Sequence, residues 1–113
     1  MDKLLNKLKE YLQMESEISL EEFANYYQET IDYLNENFDN LEKEDSLKGR
    51  YIVTILALNA GDRSKRKDKN AKKYKKMWEK SRLWADAFDY RLKQMGMTQD
   101  EIDASHEQYN SEV

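Results

Sequence analysis

The chain has 113 residues, enough for one domain with a single hydrophobic core. It carries 23 acids against 19 Lys and Arg, a formal net charge of −4, with no Cys, no Pro and three Gly. The lack of Cys excludes disulfides, thiolate metal sites and a Cys nucleophile, and the scarcity of breakers favours long helices over many-turned β folds. Two Trp, eight Tyr and three Phe supply apolar area that a chain with 37% charged residues would lack if it were disordered.

The first helix is predicted over about residues 2–14. Leu4, Leu5, Leu8, Tyr11 and Leu12 fall on one face at 3.6-residue periodicity. The segment Met1–Lys7 has none of the apolar core of a secretory signal, and no apolar run approaches the roughly 20 residues of a membrane span. A cytoplasmic protein with no membrane partner is the expectation.

Ser19 and Glu22 have the spacing of a capping box, flanked by Ile18 and Phe23 as a hydrophobic staple, so a second helix starts there. Leu20, Ala24, Tyr27, Ile31, Leu34, Phe38 and Leu41 form a heptad seam along it. A polar connector comes next, and its Asp45 or Ser46 caps a third helix over about 47–60. That helix is apolar nearly all round, which marks it as the central one. Asn59-Ala60-Gly61 reads as its stop, with Gly61 in the left-handed conformation. A long fourth helix, about 68–95, has the seam Ala71, Tyr74, Trp78, Ser81, Ala85, Phe88, Leu92 and Met95, widened by Met77 and Trp84. Gly96 ends it. Thr98 and Glu101 repeat the capping box for a short fifth helix, and the polar tail from about 106 is expected to fray. The fold class is therefore all-α: a compact bundle of four to five helices forming a single domain over residues 1–113. Helices two, three and four make its core.

Charge is segregated along the chain. From Asp62 to Arg82 eleven bases stand against three acids, a net of +8, so the remainder nets −12. Such a one-signed patch attracts opposite charge. Arg63, Lys65, Arg66, Lys69, Lys72, Lys73, Lys76 and Lys80 are the candidate polyanion-binding residues, on a loop and on the helix side away from its seam. Tyr74 and Trp78 lie among these lysines as base-stacking residues would, but their seam positions assign them to the core. Residues 1–46 carry thirteen acids against four bases. Glu29, Asp32 and Glu36 there form a possible acidic partner surface.

Signatures of chemistry are missing. His106 is the only histidine, too few for a metal site, and the Glu-x-x-His pairs of di-iron bundles do not occur. The three glycines are isolated, so no phosphate-cradling loop exists, and no helix-turn-helix or zinc-finger pattern implies base-specific reading. The expectation is a non-enzymatic binding protein without a cofactor, docking nucleic acid or a nucleoprotein through residues 63–82. The alternative is a protein-interaction module acting through its acidic helices or apolar seams, including by self-association. In composition the chain resembles accessory proteins of phages and mobile elements. That likeness, carried by no motif, implies for the alternative an inhibitor of a host nucleic-acid enzyme.

Overall fold

Five helices make up the structure, a computed structural model that describes residues 1–113. They are α1 (Asp2–Leu12), α2 (Leu20–Asn37), α3 (Lys43–Ser64), α4 (Ala71–Gln94) and α5 (Gln99–Ser111), with one 3-10 turn at Phe38–Asn40 after α2. The bundle measures 43 × 25 × 24 Å, its long dimension set by the α3–α4 hairpin. No helix is long and apolar enough to cross a membrane.

α3 is central because its sequence offers no broad polar face. Tyr51, Ile52, Val53, Ile55, Leu56, Ala57 and Ala60 are all buried, and the helix touches α1, α4 and α5. Leu4, Leu5 and Leu8 of α1 and Phe23 and Tyr26 of α2 join the main cluster around it. Leu34, Leu41, Val53 and Phe88 form a second cluster, and Leu92, Met97 and Ile102 a third under α5.

Several boundaries differ from expectation. α3 starts at Lys43 rather than 47, so neither Asp45 nor Ser46 caps it. Ser46 lies within the helix, fully buried. Its far end also runs past Gly61 to Ser64. Only Gly96 has a positive φ, +94°, so Gly96 is the left-handed stop and Gly61 is an in-helix glycine. Gly61 lies close under α4: a Cβ there would sit 3.0 Å from Cδ1 of the Trp78 side chain.

In α2 the buried residues are Phe23, Tyr26, Thr30, Ile31 and Leu34, while Leu20, Ala24 and Tyr27 are half-buried. The spacing 23, 26, 30, 34 follows a straight 3.6-residue helix and drifts away from a strict heptad. Tyr26 goes inside in place of Tyr27 because its hydroxyl has a partner there, donating to the Leu4 carbonyl at 2.8 Å. Ser19 caps α2 by accepting from the Glu22 amide, but the Glu22 carboxylate accepts from Tyr11 Oη at 3.3 Å and leaves the box half-made. Around Thr98 and Glu101 the box is complete.

The segment from 106, expected to fray, is helical through Ser111. Tyr51 holds it: its ring packs on His106 and Tyr109, and its hydroxyl donates to Asn110 Oδ1 at 2.9 Å. Lys9 and Glu112 add an ion pair at 3.3 Å.

Candidate nucleic-acid interface

The basic segment divides into a buried part and a free part. Arg63, in the last turn of α3, belongs to the core and not to the surface, contrary to the sequence reading. It is only 5% exposed, with its guanidinium 4.6 Å above the Phe23 ring and Nη1 donating to Tyr74 Oη at 2.9 Å. Its Nε pairs with Glu17 at 3.2 Å. A guanidinium this enclosed needs partners for its charge and donors, and Tyr74, Glu17 and the Phe23 ring supply them. Arg66 reaches the same carboxylate at 2.9 Å. The Arg66 hydrogen bond, helped by both arginine charges, holds the Glu17 carboxyl below its ordinary range.

Lys65, Lys69, Lys72, Lys73, Lys76 and Lys80 are all exposed and none takes part in an ion pair. Lys67, Lys75 and Arg82 are exposed and unpaired likewise. Nine free cations therefore face the segment's three acids, Asp62, Asp68 and Glu79, leaving a net of +6. Lys72, Lys76 and Lys80 follow one another at four-residue steps on the outer face of α4, opposite buried Tyr74, Met77 and Ser81. Asp68 orders the loop before the helix, accepting from the Asn70 amide at 2.7 Å.

α4 is electrostatically unlike the other helices. α1, α2, α3 and α5 each carry acids in their first turn, complementing the helix dipole. α4 carries none; its first turn holds Lys72 and Lys73, and Asn70 makes no side-chain cap. Positive charge is thus stacked on the positive pole of the helix.

The aromatic residues expected in the core are there. Tyr74 is buried, and Trp78 is half-buried against Gly61 with Arg82 5.1 Å above its ring. The sequence reading missed aromatic residues beside the lysines on the outer side. Lys76 lines two shallow depressions: one between α2 and α4 with Tyr27 and Lys73, the other along α4 with Lys80, Leu83 and Trp84. Leu83 is 69% exposed and Tyr90, two turns further on, 67%. The missed signal was a second heptad row, Lys76, Leu83 and Tyr90, seven residues apart on the face away from the seam.

On the acidic side, Glu29 pairs with Lys7 at 3.5 Å and Asp32 accepts from Gln28 at 2.8 Å. Of the three residues proposed as an acidic partner surface, only Glu36 makes no such contact. No three His, Asp or Glu side chains converge to hold a metal ion. A mainly apolar cavity of about 90 Å³ is lined by Leu8, Ile18, Tyr26 and Ile55, with Arg63, Asn59 and Glu17 also on its wall.

Comparison with protein-family models, curated proteins and solved structures returns no match.

Proposed function

We propose that the protein is a non-enzymatic binding protein of the cytoplasm that docks nucleic acid, free or in a nucleoprotein, through the α3–α4 loop and the outer face of α4. The observation that carries this reading is the row of exposed cations without internal partners: Lys65, Lys69, Lys72, Lys73, Lys76 and Lys80. Outside the segment, Lys7, Lys9 and Lys48 are each paired with a carboxylate. The lysines of the row are not; Lys3, Lys43 and Lys93 are unpaired too, but only the row is clustered, so its members repel one another and the positive pole of α4. A phosphate backbone would relieve that repulsion and release counterions. Arg63 and Arg66 do not take part directly: Arg63 fastens the end of α3 to α2 and α4, and Glu17 holds Arg66 down.

The acidic-surface alternative has less support, because Glu29 and Asp32 already have partners within the chain.

The test is a fluorescence-anisotropy titration with labelled oligonucleotides at rising salt. Six lysine–phosphate contacts give a slope of log affinity on log salt near −5 for a duplex, at about −0.9 per contact, and near −4 for a single strand. Replacing Lys72, Lys76 and Lys80 by Gln should reduce the slope by about 2 to 3 without loss of helicity. Absence of binding to any nucleic acid at low salt removes the proposal.

A further inference from the structure

We infer that the ligand of this surface is single-stranded nucleic acid, its bases seated on Tyr27 and Trp84 while Lys73, Lys76 and Lys80 take the phosphates between them. The inference rests on the docking proposed above and adds which form of nucleic acid is recognised.

Phosphate contacts alone favour no strand form, and a rigid duplex presents its bases only as edges in grooves. Single strands present ring faces, and their binding sites combine a cationic track with aromatic platforms. Here the two kinds of group alternate. Tyr27 stands across the first depression from Lys73 and Lys76, and Trp84 flanks Lys76 and Lys80 in the second. Both are half-buried, Trp84 with the Phe38 ring edge-on at 5.2 Å, and each lines its depression with the part left outside. Lys76 lines both, so one strand passing over it meets an aromatic side chain on either side. From Lys73 to Tyr90 the helix advances roughly 26 Å, so Tyr90 lies where a longer strand would continue. The apolar side chain of Leu83, left 69% exposed in the second depression, gains cover from a base or sugar and would gain none from a phosphate.

The opposite flank of α4 offers no comparable seat. Trp78 is there with Lys65 and Lys75, but Gly61 and the Arg82 guanidinium already occupy its surroundings. The acids nearest the inferred track are Glu21 in the first depression and Glu79 in the second. They leave the cations in excess in both.

The experiment compares four labelled probes on the intact protein: oligothymidylate, a duplex of equal length, an abasic strand with the same phosphates, and polyglutamate. Oligothymidylate is expected to bind at least fivefold tighter than the abasic strand, since each stacked base contributes roughly 1–3 kcal/mol, about 5- to 150-fold. It should also bind more tightly than the duplex, and Tyr90→Ala, a change at an exposed position, should weaken only long oligothymidylate. Tyr27→Leu and Trp84→Leu should weaken oligothymidylate and leave the abasic strand unaffected, which separates lost stacking from lost folding. Equal affinity for the abasic strand, or a preference for duplex, overturns the stacking inference and leaves the phosphate reading standing. Tighter binding of polyglutamate than of any nucleic acid, or no binding of any probe, overturns both.

Discussion

Two glycines of α3 meet the fourth helix, and the same substitution at each should act with opposite sign. At Gly49 a methyl group would lie 2.5 Å from Cζ of Phe88 and 3.1 Å from the Met1 side chain. Phe88 has no exposed surface and is wedged among Leu34, Leu41 and Val53, with the Phe38 ring against it. It cannot move without displacing that cluster. Overpacking of this kind costs typically 1–3 kcal/mol, against which Ala regains about 1 kcal/mol of helix propensity. Gly49→Ala should therefore destabilise by up to about 2 kcal/mol. At Gly61 the neighbour is the half-buried Trp78 indole, 3.0 Å from the added carbon, near the loop end of the hairpin, where a partly exposed side chain can give by a few tenths of an ångström at little cost. There the propensity gain prevails, and Gly61→Ala should be neutral or stabilise by up to about 1 kcal/mol. Urea unfolding followed by helical circular dichroism reads both changes, provided the slope is unchanged. In a domain of this size, 1 kcal/mol corresponds to a shift of about 4 °C in Tm. Equal effects at the two sites, or a greater loss at Gly61, would refute the assignment of Phe88 as the rigid neighbour and Trp78 as the yielding one.

Arg63→Met should destabilise by about 2 kcal/mol, because it leaves the buried Tyr74 hydroxyl without its partner and removes the guanidinium from the Phe23 ring, yet leave the salt slope of nucleic-acid binding unchanged. A lowered slope with intact stability would return Arg63 to the binding surface. His106 gives a pH dependence: burial, aided by the Arg50 charge and opposed by Glu107 and Asp103, lowers its pKa from the ordinary 6.5. Above pH 6.5 the imidazole is neutral whether folded or unfolded. Below it the unfolded chain takes up the proton first, so stability falls as pH drops through that value towards the folded pKa. His106→Gln should flatten that loss in urea midpoints measured between neutral pH and about pH 5, and an unchanged profile would count against it.

What the sequence made legible was governed by local rules. The Thr98–Glu101 box and the Gly96 stop depend on neighbours within a few residues, and both appear as the spacing implies. The burial of α3 follows from a segment with no broad polar face to turn outward. The choice between Tyr26 and Tyr27 depended on a carbonyl of α1, twenty-two residues away. Gly61 resembles a helix stop until Trp78 packs on it. Arg63 has the charge of a surface residue, and only the meeting of Glu17, Phe23 and Tyr74 draws it inside. The lysines were legible as an outer face because they sit off an apolar seam. Tyr27 and Trp84 are hidden as candidates because heptad spacing places one on the seam of α2 and the other on the flank of the α4 seam.

The charge separation persists in the folded chain because the N-terminal acids make few ion pairs with the basic segment. One acid of the N-terminal half, Glu17, pairs with the basic segment, and it engages Arg63 and Arg66 and none of the lysines. Glu29, Asp32 and Glu36 on α2 are turned to water, none within ion-pair distance of the lysine row. At such separations in water the attraction is weak and screened within about 8–10 Å. The folded molecule is consequently polar from one side to the other. On the docking proposed above, a polyanion would be drawn to the lysines of α4 and repelled by the acids of α2, which would favour its approach from the α4 side. Glu29, Asp32 and Glu36 would then orient the ligand without touching it, a role consistent with their lack of contacts to the lysine row.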